Sequence, residues 1–293
     1  MNEADAKLEA LRAKIDEIDD ALHELIIRRV EVTEAVGQLK SATGGLTFRP
    51  SREAMVLRRR LARHRGAFPK AGVARIWREI IGGTLCLQGP FAVAVFATPD
   101  YPGYWDLARD HFGVQPAYTG CSTVNQVVHL VAENPAAVGI LPWPHEGHPE
   151  PWWRQIVSAD PNTVRIIGRL PFAGRGRGRG ENYQAAVIGR FPVEPSGDDC
   201  SLLAVETDAD VSRERLRTAL AFVGQRLDVI AVWRSRAEEF GLHLVQVDGV
   251  VEPRGPQLQD FLERAKPIVR RATVIGSFAV ALTPAEMGEK PGQ

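Results

Sequence analysis

Cysteine is scarce: Cys86, Cys121 and Cys200 lie far apart and form no C-x-x-C pair, which argues against a zinc site or a disulfide framework. Charge of one sign is also missing. The 36 Lys and Arg balance 36 Asp and Glu, so no global field draws the chain to nucleic acid or to an anionic membrane. No apolar run approaches the roughly 18 residues that a membrane span needs. The opening Met-Asn-Glu-Ala-Asp is acidic and has no apolar stretch behind it, which argues against a secretory signal. A cytoplasmic protein with no metal, nucleic-acid or membrane partner is the expectation. What is present suits a globular chain: 293 residues, 44% of them hydrophobic, are enough for about two or three domains.

Residues 7–42 predict one long helix. Leu8, Leu11, Ile15, Ile18, Leu22, Leu25, Val32, Val36 and Leu39 recur at alternating three and four, the pattern of a coiled-coil-like seam. Proline is absent there and the first glycine is Gly37. Such a helix is about 50 Å long, too long for a domain of this size to cover alone, so it asks for a partner helix from another chain. A second, arginine-rich helix opens at Pro50-Ser51 and closes near Gly66. A third runs from about Lys70 to Gln88, where Gly89-Pro90 stops it.

From Phe91 the period changes. Strands are predicted at 91–96 and 137–141 and helices at 105–112 and 124–133, which gives βαβ character. Residues 174–180 alternate Arg and Gly and predict a mobile loop. Beyond Ser196 the order is strand 201–206, helix 212–225, strand 227–233, strand 242–247, helix 257–265 and strand 272–278. That βαββαβ order suggests a small ferredoxin-like module.

One residue breaks the seam. Arg29 occupies the core position between Leu25 and Val32, and a guanidinium there is costly unless an anion meets it. A side chain that snorkels to the surface or pairs with a nearby Glu is the alternative. Lys40 lies eleven residues on, close to three whole turns, so one small dianion can bridge the two. Arg12 is about 25 Å from Arg29 along the axis and on another face, so it reaches such a ligand only from a partner chain. On the second helix Arg52-Glu53 follow an N-cap Ser51, where an early Glu also suits the helix dipole. On the third, Trp77, Ile81, Thr84 and Gln88 share a stripe whose polar end reads equally as a solvated helix end. Arg58, Arg59, Arg60, Arg63 and Arg65 read as a solvated basic face.

Leu8-Glu-Ala-Leu-Arg12-Ala-Lys-Ile, Arg28-Arg29, Val36-Gly37-Gln-Leu-Lys40, Arg52-Glu53 and Ile80-Ile81-Gly-Gly-Thr84-Leu-Cys-Leu-Gln88 together resemble the chorismate mutase domain of the all-helical class. The resemblance implies an intertwined three-helix homodimer that acts on chorismate without a cofactor. It implies that Arg29 and the partner subunit's Arg12 hold the substrate carboxylates and that Lys40 and Gln88 face the ether oxygen. It further implies Glu53 on the ring hydroxyl, with Arg52 and Thr84 completing the polar wall. Arg49 departs from the pattern, since some members carry Asp there.

Residues 91–285 resemble, more weakly, the rest of a bifunctional chorismate mutase–prephenate dehydratase. Val124-Asn-Gln-Val-Val-His-Leu-Val-Ala-Glu and Gly139-Ile-Leu-Pro142 are similar to a first-lobe helix and strand, and Gly241-Leu-His-Leu-Val-Gln-Val-Asp248-Gly249 to an ACT regulatory domain. The expected organisation is a helical domain over 1–90, a truncated dehydratase-like α/β lobe over 91–195, an ACT-like α+β domain over 196–285 and a tail over 286–293. His145-Glu146-Gly147 replaces a family Glu-Asn-Ser, and Asn182-Tyr183 is followed by Gln184-Ala185-Ala186 where dehydratases carry Thr-Arg-Phe. Dehydratase activity is therefore expected to be absent. The resemblance offers Ser235 and Arg236 as effector-binding residues. Two other readings stand beside the mutase: a non-catalytic sensor of aromatic metabolites, and a bifunctional mutase–dehydratase.

Overall fold

The computed structural model describes residues 3–147, 151–160, 162–174, 183–192, 194–221, 227–234 and 240–289. The expected long helix is α1, Glu3–Thr43. Its 41 residues span about 62 Å. Its apolar seam stays exposed among the described residues: Ile18 and Leu25 are each 59% exposed and Leu39 72%. Only Gly37 is buried. Helix α2, Pro50–Arg63, starts with Pro in its first turn, where the missing N–H costs nothing. Helix α3, Lys70–Leu87, follows.

The rest is a mixed α/β region. Strands β1 (Ala92–Phe96), β2 (Ala117–Cys121) and β3 (Ala137–Pro142) pair in parallel, and α4 (Gly103–Phe112) and α5 (Val124–Glu133) make the crossovers. The Thr123–Gln126 capping box starts α5. A 3₁₀ turn, Trp152–Ile156, buries both of its tryptophans. Strands β4 (Arg165–Leu170) and β5 (Ala185–Gly189) pair antiparallel. Then come β6 (Asp199–Asp208), α6 (Arg213–Ala219), β7 (Asp228–Arg234), β8 (Phe240–Asp248), α7 (Pro256–Ala265) and β9 (Val269–Ala279).

Among the described residues the nine strands form one sheet, in the order β2-β1-β3-β5-β4-β9-β6-β8-β7. The strands before and after residue 195 meet through β4 and β9, at Ile166 and Gly276. Helix α5 and the 3₁₀ turn cover one face. Helix α4 covers the other, together with Leu85 of α3. Helices α6 and α7 close a third cluster over the β6–β9 strands. No helix among the described residues is long and apolar enough to cross a membrane.

The structure adds three strands and shortens one helix. Strands β2, β4 and β5 were not legible, and β2 shows why: four of its five residues are not buried, so they carry no apolar alternation. Helix α6 ends at Ala219, short of the expected 225, and residues 222–226 lie outside the described set. The Arg-Gly stretch from 175 to 180 lies outside it as well.

The helical segment is tied to the sheet by particular contacts. Phe48, in the α1–α2 connection, is 1% exposed and packs on Phe91, Phe112 and Phe191 with ring centroids 5.2–5.8 Å apart. Arg58 of α2 donates to the carbonyls of Ser196, Asp198 and Val280 at 2.8–3.2 Å. The Glu194 N–H donates to Ser51 Oγ at 3.1 Å. Gly82 of α3 runs so close to α4 that an added Cβ would lie 2.0 Å from the Phe112 carbonyl oxygen.

Candidate active site in the helical segment

Helices α1 and α3 meet where glycine lets them. A Cβ on Gly37 would stand 2.9 Å from the Gln88 Cα, so only glycine allows this approach without a backbone shift. Close packing there brings the polar residues of the two helices together.

The Lys40 ammonium donates to Gln88 Oε1 at 2.9 Å and to the Thr47 carbonyl at 3.1 Å. An ammonium has three protons, so one is left over. Gln88 Nε2 donates one of its two protons to the Thr84 carbonyl at 3.3 Å. Eleven residues back on α1, Arg29 Nη1 donates to Thr84 Oγ1 at 3.0 Å. The Thr84 hydroxyl can accept because its own proton goes to the Ile80 carbonyl at 2.8 Å. The structure therefore brings Arg29, Lys40, Thr84 and Gln88 into one continuous polar strip.

The strip is electropositive. Burial, and then the nearby Arg60 charge, lower the Arg29 pKa. Burial, and then Arg49, lower that of Lys40. Arg49 itself pairs with Glu194. Neither Arg29 nor Lys40 meets a carboxylate among the described residues.

The other expected residues are placed differently. Glu53 Oε2 accepts from Arg78 Nη1 at 2.8 Å, with the two side chains 12% and 6% exposed. Burial pushes the Glu53 carboxyl up to about 7 even against the Arg78 charge. Burial likewise lowers Arg78, to about 10. Arg52 is exposed. Arg12 is exposed too and pairs with Glu9 at 2.5 Å on its own helix, about 25 Å from Arg29. Ser235 and Arg236 lie outside the described residues.

Two arginines were missed as site neighbours. Arg78 was not singled out, although its place next to Trp77, four residues before the apolar-stripe position Gly82, was the available signal. Arg60 was read as part of a solvated face. That reading holds for the exposed Arg59, Arg63 and Arg65. It is corrected for Arg58, which clamps three carbonyls, and for Arg60, whose guanidinium stacks 4.5 Å over the Trp77 ring. Among the described residues no group of three or more His, Cys, Asp or Glu is arranged to hold a metal ion.

Residues 11–89 match the family described as chorismate mutase type II. The bifunctional chorismate mutase/prephenate dehydratase of Pseudomonas aeruginosa is 33% identical over 141 residues, which is 46% of this chain and 38% of the relative. The Aquifex aeolicus protein of the same description is 30% identical over 140 residues, again 46% and 38%. The chain thus spans under half the length of the curated relatives it matches. Among solved structures, the quorum quenching acylase GqqA aligns at 14% identity and TM-score 0.47, over 67% of this chain and 98% of that one. Prephenate dehydratase from Streptococcus mutans aligns at 11% and 0.45, over 65% and 98%.

Proposed function

We propose that this chain is a chorismate mutase that rearranges chorismate to prephenate without a cofactor, in an active site completed by a second copy of itself. The observation that carries the reading is the Arg29–Thr84 and Lys40–Gln88 strip inside the segment that matches the mutase family.

The reaction is a unimolecular pericyclic rearrangement. It needs no nucleophile and no proton transfer. It needs an extended dianion folded into a chair, and relief for the negative charge that builds on the ether oxygen as the C–O bond breaks. Guanidinium–carboxylate pairs supply the first by positioning. Arg29 takes one carboxylate and Arg12 of the partner subunit the other, with Arg52 and Thr84 lining the wall. The remaining Lys40 proton and the remaining Gln88 N–H supply the second, as donors already held in place. On Glu53, Arg78 occupies Oε2, which leaves Oε1 to hydrogen-bond the ring hydroxyl, as acceptor once the carboxyl is ionised.

The homodimer is supported by the exposed seam of α1, whose three–four spacing is that of a helix pair. The strands after residue 196 support a ferredoxin-like, ACT-like module: taken in their own chain order, β9-β6-β8-β7 is 4-1-3-2. The region between is read as a truncated dehydratase-like lobe without dehydratase activity, because Gln184-Ala185-Ala186 offers neither a hydroxyl nor a guanidinium.

A spectrophotometric assay on chorismate tests both halves. Chorismate should disappear and prephenate accumulate, with no phenylpyruvate formed without acid treatment. Arg29→Ala should lower kcat/KM by about 10²- to 10⁴-fold, from roughly 3–5 kcal/mol of lost ion pairing. An unchanged kcat/KM would refute the role of Arg29, and enzymatic phenylpyruvate would overturn the absence of dehydratase activity.

A further inference from the structure

We propose that Arg60 is a further substrate-binding residue of this site, a second guanidinium from the same chain that meets a carboxylate of the dianion alongside Arg29. The proposal rests on the mutase reading and names a residue that reading does not use.

Arg60 lies eight residues after Arg52 and four after Val56 on α2, so the three share one face. At its Arg60 end that face meets α3, where the Arg60 guanidinium stacks 4.5 Å over Trp77. Trp77 and Thr84 are seven residues apart, two turns of one α3 stripe and about 10 Å along its axis. Thr84 is the residue that holds Arg29. The stripe therefore carries a guanidinium at each end, with Ile81 between them.

Neither guanidinium has an anionic partner among the described residues. Arg29 is held by a neutral hydroxyl and Arg60 by an aromatic face. The Arg60 Nε is buried and has no hydrogen-bond acceptor among the described residues. A ring quadrupole offsets only part of the desolvation of a cation, and two partly buried like charges repel. The positive charge of Arg60 is felt at Arg29, whose pKa it lowers after burial does. Carboxylate oxygens of a small dianion set against the two guanidinium groups remove the repulsion and supply the missing acceptors. The competing occupant is an acidic residue of a partner's long helix, which would make Arg60 a structural residue of the dimer.

Steady-state kinetics of Arg60→Leu and Arg60→Lys on chorismate, with the mass of each enzyme by light scattering, separates these cases. Arg60→Leu should raise KM for chorismate tenfold or more with a smaller change in kcat, while the mass stays that of the parent. Arg60→Lys keeps the charge but not the two-pronged geometry, so it should recover part of the loss. A parental KM in Arg60→Leu overturns the proposal, and so does a raised KM that comes with dissociation to monomers. Should Arg60→Leu fail to fold, Arg60→Lys decides: KM raised several-fold supports the proposal, and parental KM overturns it. A parent enzyme that leaves chorismate untouched sinks the mutase reading itself, which is a different result from an active parent with an indifferent Arg60.

Discussion

At the scale of single residues, burial changes what the charged groups do. Glu53 holds its proton up to about pH 7, against an ordinary carboxyl near 4.5. The folded state therefore binds this proton where the unfolded chain releases it. The contribution to stability is complete below pH 4.5 and is lost as pH rises through about 7. Glu53→Gln should flatten the fall in melting temperature between those limits, and thermal melts across the range check it. Gln88 has a different dependence. Its remaining N–H is a donor at every pH, whereas a carboxyl donates only while protonated. The activity of Gln88→Glu relative to the parent should fall from pH 5 to pH 8, and a flat ratio would remove Gln88 from the ether-oxygen role. Arg29 was legible in the sequence because a cation in an apolar seam violates a local pattern, and Lys40 because it lies eleven residues on, close to three whole turns. Arg78 and Arg60 were not, because their partners Glu53 and Trp77 lie on other helices.

At the scale of elements, the site depends on how closely α1 lies against α3. Gly37 sets that distance. Alanine is the better helix former by about 1 kcal/mol, yet its Cβ would meet the Gln88 backbone at 2.9 Å. The helices must then move apart by about half an ångström to reach ordinary contact, and Lys40 and Gln88 move with them. Gly37→Ala should lower kcat/KM about tenfold while the melting temperature shifts by only a few degrees. Kinetics alongside a thermal melt would show it; parental kinetics would mean that the contact is slack. The three helices were predictable from periodicity, proline placement and glycine stops. Strands β2, β4 and β5 were not, since their pairing comes from neighbours elsewhere in the chain rather than from alternation of their own residues.

At the scale of the whole molecule, α1 leaves a long apolar seam uncovered, with Ile15, Ile18, Leu22 and Leu25 each more than half exposed. A second copy laid along it would bury the seam and bring an Arg12 to each Arg29. Leu22→Lys puts a charge in the middle of that seam, close to the two-fold axis of the proposed dimer. It should shift the protein to monomer in sedimentation velocity and lower mutase activity by at least tenfold, since a lost Arg12 removes one carboxylate contact. A dimer that persists with full activity would refute the arrangement. The sheet adds a second whole-molecule feature, because β4 and β9 join the strands on either side of residue 195 into one surface on which α2 and α3 are anchored.

The amino-acid sequence by itself determined the long helix, its seam and the one cation that interrupts it, because spacing along a helix is a local property with a fixed period. Tertiary structure alone decided that Glu53 is buried against Arg78, that Arg60 covers Trp77 rather than facing water, and that nine strands share one sheet. Those outcomes depend on which distant segments come into contact, and on the loss of water around charges that such contacts bring. No local pattern records either.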